Sequence, residues 1–230
     1  ELMLGRGTST HAATGRYDMS GMYSYLDTGR TVVGARATGR FIQSDGWHYT
    51  QDLIIGQSEG SNGAYELRGG SLESQTTRIG ATADATGAMK VIGETAQWWN
   101  HGNVYVGAEM FIPADTDTAL LELQDGAMLR ADAVIVGETG TVRGNGRIDA
   151  DVTNTGQLAP GLSAGQLDII GNYTQLAGGT LSIEIGGNNP GIDHDYLYIF
   201  GAANLAGTLD VGLLDGYQFS FGESFDILYA

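Results

Sequence analysis

Cysteine is absent from the 230 residues. That removes disulfides, thiolate nucleophiles and thiolate metal sites together. Positive charge is scarce: Lys and Arg total 11 against 27 Asp and Glu, the formal net charge is −16, and Lys90 is the single lysine. Such a balance argues against nucleic acid and anionic membrane surfaces as partners. No apolar run reaches the 18 residues that mark a spanning helix, so the chain is expected not to span a membrane, and no secretory signal peptide is seen. The acidic residues are scattered, which reads as a solvated outer face that keeps strand edges apart. The competing reading assigns acidic loops to calcium, a cation that prefers hard oxygen ligands.

Catalytic constellations are missing too. The four histidines, His11, His48, His101 and His194, stand in no H-E-x-x-H spacing. Asp193-His194-Asp195 is the densest polar cluster and reads as a solvated turn, with Asp193 and Asp195 as candidate calcium ligands. Asp115 and Asp117, in the insertion 112–119, are the other candidate pair. Gly161-Leu-Ser163-Ala-Gly165 spells G-x-S-x-G, but a nucleophile elbow needs a strand before it and a helix after it. Here Pro160 precedes and a β-segment follows. Carboxylate pairs exist at Asp149/Asp151 and Asp115/Asp117. Arg30, Arg36, Arg40 and Arg68 either line one face or balance Asp27, Asp45 and Glu66. A polysaccharide-active enzyme is therefore the least favoured reading, and no cofactor is expected beyond the calcium candidate.

A sustained helical stripe is also lacking; what is present is a repeat. Phe41-x-Gln43 and Tyr65-x-Leu67 open two copies of one unit, and Leu53-Ile54-Ile55-Gly56 and Thr77-Arg78-Ile79-Gly80 close them, each pair 24 residues apart. The opening recurs as Tyr17-x-Met19, Met89-x-Val91 and Leu121-x-Leu123. The apolar-apolar-Gly closure recurs at Gly5, Gly34, Gly107 and Gly137. A drifting period in this range marks a solenoid, which tolerates insertions as bulging loops. The segments are short and alternate, as in Thr180-Leu-Ser-Ile-Glu-Ile185, so one face turns inward and one outward. Glycine, at 37 residues, recurs at the corners, where positive φ is needed. The chain is thus expected to be all-β, a β-solenoid with rungs of about 24 residues and strands about 4.8 Å apart.

Residues 1–137 are the regular rungs with insertions. Residues 138–230 form a glycine-rich continuation of the same coil. Trp98 and Trp99 interrupt the first part and, as a loop pair, are candidates for stacking on a glycan. The competing reading puts one of them inside the coil and the other over a rung edge. Trp47 carries the same two readings.

Within the second part, Leu158-Ala-Pro-Gly161, Ser163, Gly165, Leu167, Ile169, Gly171, Tyr173, Gln175, Gly178-Gly179, Leu181, Ile183 and Glu184 follow one pattern. It resembles the C-terminal passenger region of autotransporter-type bacterial surface proteins, over about residues 138–230. The resemblance implies a right-handed parallel β-helix, secreted to the cell exterior or surface. It does not fix a ligand, because passengers of that family range from adhesins to enzymes.

The first residues enter in mid-pattern and the last, Phe225-Asp-Ile-Leu-Tyr-Ala230, form an apolar strand, as in a piece of a longer precursor. Open solenoid ends are templates for another chain. The sequence therefore predicts a non-enzymatic structural subunit that associates head to tail with itself into a fibre, stalk or sheath. Leu2, Leu4, Phe225, Ile227 and Tyr229 are the candidate contact residues. The alternative is an adhesin whose loops bind glycan or a cell-surface protein.

Overall fold

The computed structural model describes residues 1–7, 13–82, 84–107 and 119–230. They form strands and turns without a helix, so no helix is long and apolar enough to cross a membrane. The strands make two long sheets, of 13 and 9 strands, and every ladder pair between strands is parallel. The chain alternates between them. From Leu2–Leu4 in the first sheet it passes to Gly15–Met19 in the second, back to Tyr25–Val33, and on to Thr38–Gln43. Each return lays a strand beside the one from the turn before, the arrangement of a β-solenoid.

The inward residues form continuous columns. In the second sheet Tyr17 pairs with Phe41, Phe41 with Tyr65, Tyr65 with Met89 and Met89 with Leu121. In the first sheet Leu4, Val33, Ile55, Ile79, Val106 and Val136 are successive partners. Residues of both columns share one buried core. Period-two alternation explains this: Asn62–Leu67 buries Gly63, Tyr65 and Leu67 and turns Asn62, Ala64 and Glu66 outward. The closing residues Gly5, Gly34, Gly56, Gly80 and Gly107 take φ between 65° and 87°, the left-handed region that ends each apolar run.

The first sheet is bent. Along Tyr25–Val33 the buried positions are Thr28, then Thr31, Val32 and Val33, so the alternation slips by one residue at Gly29 and Arg30. The slip recurs at the same register in Trp47–Ile55 and Gly70–Ile79. In later turns the bend divides the strand outright, into Ala96–Asn100 and Asn103–Val106. The inside of the bend carries the short polar residues Thr28, Thr50, Ser74 and Asn100, stacked in register and buried. Polar side chains suit that corner because the ladder is interrupted there and main-chain groups need partners. Both sheets continue without a break past residue 137, where Val136 pairs with Val106 on one side and Asn154 on the other.

Candidate functional site

The interior holds titratable groups, and each is sealed. His48 occupies a core position between Leu26 and Leu72 and is fully buried. Its ring stacks on Phe41, which stacks on Tyr65. Tyr65 donates to Gln43 Oε1 at 2.7 Å, so its oxygen accepts from His48 Nδ1 at 2.9 Å. That leaves His48 Nε2 to accept from the Thr31 hydroxyl at 3.1 Å. Gln43 Nε2 donates onward to the carbonyls of Gly46 and Ser71, both at 3.0 Å. Every polar atom of the chain has a partner and the ring is neutral. Burial holds His48 down at about 4 and pushes Tyr65 well above the usual phenol range. With no route from solvent, this network specifies packing rather than chemistry.

The outer face of the second sheet carries ion pairs. Arg40 and Arg68 both bind Glu66, at 2.6 and 2.5 Å. Glu122 lies between Lys90, at 2.9 Å, and Arg143. Burial would raise Glu122, but the bonds from Lys90 and Arg143 hold it below the usual carboxylate range. The arginines of the early turns therefore answer local carboxylates; Arg30 faces Glu1 at 3.5 Å.

The structure separates the residues proposed as ligand pairs. Trp98 and Trp99 lie in the strand Ala96–Asn100, not in a loop, and point to opposite sides of it. Trp98 is fully buried and its indole N–H donates to Ser74 Oγ at 3.0 Å, so it has no face to offer a sugar. Trp99 is half-buried on the outside, under the guanidinium of Arg130 at 5.0 Å. Trp47 begins a strand and is exposed. The turn expected at Asp193-His194-Asp195 is not solvated beyond Asp193. Asp193 accepts from the main-chain N of Asn189 at 3.2 Å. Asp195 is buried and accepts from Glu184 N at 2.8 Å and Gly165 N at 3.1 Å. Burial, with Glu184 nearby, pushes Asp195 up to about 7, against the pull of those two amides and of His194. Both carboxylates are thus spent on the main chain, and among the described residues no group of three His, Asp or Glu side chains converges as a metal site. Asp115 and Asp117 lie outside the described residues, as does His11.

The surface with unspent bonding capacity is at the ends of the coil. Thr208–Leu213 is the last strand of the second sheet and is exposed along its whole length. Its inward residues Leu209, Val211 and Leu213 are 52%, 47% and 46% exposed, whereas their partners Leu181, Ile183 and Ile185 are 4%, 1% and 5% exposed. Beside it a groove of about 340 Å³ runs between Leu181, Leu205, Leu209 and Ile227. The strand is held at its head by Gln175, whose Nε2 donates to the carbonyls of Ala206 at 2.6 Å and Thr208 at 2.9 Å.

The segment after this strand covers only part of that end. Phe225, Ile227 and Leu228 pack against the core, and Leu228–Tyr229 pairs with Leu197 and Tyr198. His194, fully buried, fastens the segment: Nε2 stands 2.9 Å from the carbonyl of Asp226 and Nδ1 2.8 Å from that of Gly187. Of the residues expected to make contacts between molecules, Phe225 and Ile227 are therefore largely spent inside this molecule, and so is Leu4, which is buried. Leu2 is half-buried, and Tyr229 is exposed and stacks on Tyr198 at 5.0 Å. Sequence reasoning missed Leu209, Val211 and Leu213. Their alternation was visible, but nothing in it distinguishes the last strand of a column from the strands below. At the opposite end Gly15–Met19 and Leu2–Leu4 each pair on one side only.

No family model, curated protein or solved structure matches the chain, so these surfaces are read from their own geometry.

Proposed function

We propose that the chain is a non-enzymatic structural protein of the bacterial cell exterior. In this reading it is a right-handed parallel β-helix with rungs of about 24 residues, and it joins further copies end to end into a fibre, stalk or sheath. The observation that carries the reading is the bare strand Thr208–Leu213, whose core column stops half-exposed at the edge of a 9-stranded sheet. Free main-chain groups along such an edge pair with an added strand, and the apolar side chains then leave water. A contact that uses different surfaces at the two ends does not close on itself and grows into a filament. The similarity of residues 138–230 to autotransporter passengers supports an exterior location. The net charge of −16 suits a fibre that must repel its neighbours sideways while joining at its ends.

The test is light scattering over a range of protein concentration, on the parent chain and on Leu209→Asp/Val211→Asp. Both positions lie on the exposed strand, and thermal melting checks that the variant stays folded. The parent's apparent mass should rise with concentration and the variant's should stay at one chain. A parent that remains monomeric throughout, or a folded variant that associates equally well, contradicts the reading.

A further inference from the structure

The free edges at the two ends match strand for strand. At the C-terminal end three strands have one unpaired side: Thr208–Leu213, Ala203–Asn204 and Leu228–Tyr229. The N-terminal end also offers three: Gly15–Met19, Leu2–Leu4 and the first half of Tyr25–Val33. Following partners through the sheets, Leu209 belongs to the column of Tyr17, Ala203 to that of Leu2, and Tyr229 to that of Tyr25. The strands run parallel throughout, so a second copy stacked in the same orientation meets each edge with the correct polarity.

We propose that the joint between copies is register-matched, with Gly15–Met19 of one molecule lying beside Thr208–Leu213 of the next. The inference rests on the end-to-end reading and names its contact. Tyr17 then covers Leu209, and Met19 covers Val211. On the outer face Asp18 comes beside Asp210, with Arg16, already bound to Asp18 at 2.7 Å, placed to serve both. The other two edges follow without adjustment: Leu2 covers Ala203, and Tyr25, 66% exposed, continues the stack of Tyr198 and Tyr229.

Two features exclude other registers. A slip of one residue turns Arg16 and Asp18 into the core. A slip of two places Tyr17 at the head of the strand, where Gly15, Gly39, Gly63 and Gly87 are successive partners and where Gly207 precedes Thr208. That position has no room for a side chain: a Cβ on Gly207 would stand 2.2 Å from the carbonyl oxygen of Gly179.

The absence of cysteine makes the test clean. In a register-matched joint Asp18 and Asp210 are direct partners about 4.8 Å apart, within reach of a disulfide. Within one molecule eight strand spacings separate them, about 38 Å, so any bond is between molecules. Asp18→Cys/Asp210→Cys should give, on mild oxidation, a ladder of covalent oligomers on a non-reducing gel. Asp18→Cys/Gln157→Cys, with its second thiol two strands below the joint, should give at least tenfold less. A chain that light scattering shows to be polymeric, yet whose register pair does not cross-link or cross-links no better than the control, overturns the joint and leaves end-to-end assembly standing. A chain that is monomeric at every concentration overturns both.

Discussion

Gly63 states the local problem of this fold in one residue. It heads an inward column position, its φ is ordinary, and a Cβ there would lie 2.0 Å from the Val33 carbonyl oxygen and 2.4 Å from the Gly56 nitrogen. Both obstacles are main chain, so the corner must move to admit even a methyl group. Gly63→Ala should therefore cost about 2–3 kcal/mol in chemical denaturation, the range of overpacked cores. Gly212→Ala, where nothing lies within 4 Å, should stay within about 0.5 kcal/mol of the parent. Equal costs at the two positions would remove the crowding argument. The spacing of these glycines was legible in the sequence, but the distinction between a glycine kept for φ, such as Gly56, and one kept for space, such as Gly63, was not. The same limit hid His48. A polar residue in an alternating run looks like a turn or an outer position until Thr31, Tyr65 and Gln43, which are remote in sequence, arrive to satisfy it.

Strands and corners carry the next level. Tyr17, Phe41, Tyr65, Met89 and Leu121 were readable as one column because each sits in a short alternating strand a fixed distance from a closing glycine. Trp98 and Trp99 were misread as a loop because Ala96, Trp98 and Asn100 face inward together, and the buried Asn conceals the alternation. Asp195 was taken for a turn residue because its partners are main-chain amides from strands 11 and 30 residues away, which no sequence pattern announces. That burial has a consequence for pH. Asp195 is pushed up to about 7 from an ordinary 3.8, so the folded chain holds this proton more tightly than the unfolded chain does. Its contribution to stability is fully present below about pH 4 and is lost as pH rises through 7. His48, held at about 4 against 6.5, works oppositely: its contribution is present above 6.5 and lost as pH falls through 4. Between these limits the two offset one another. Asp195→Asn removes one side of the balance, so on going from pH 7 to pH 5 the variant should lose about 2 kcal/mol relative to the parent, measured by urea unfolding at each pH. A variant that tracks the parent at both pH values would show that Asp195 does not carry the proton.

At the scale of the molecule, two parallel sheets close one column of core along their whole length, and the second sheet counts 9 strands from Gly15–Met19 to Thr208–Leu213. The all-β class and the stacking of turns were legible because glycine and alternation repeat together. The ends were not, because a strand at an edge and a strand in the middle of a solenoid have the same sequence requirements; exposure of Leu209, Val211 and Leu213 appears only when the neighbouring strand is seen to be missing. An object with that asymmetry, apolar at its ends and acidic on its sides, is built to lengthen rather than to clump. Negative-stain electron microscopy of the purified chain tests this most directly. End-to-end stacking of 9 strands at about 4.8 Å predicts filaments one coil wide with an axial repeat of about 43 Å. Short single rods of about that length at every concentration, or filaments that broaden by lateral packing without this repeat, would contradict it.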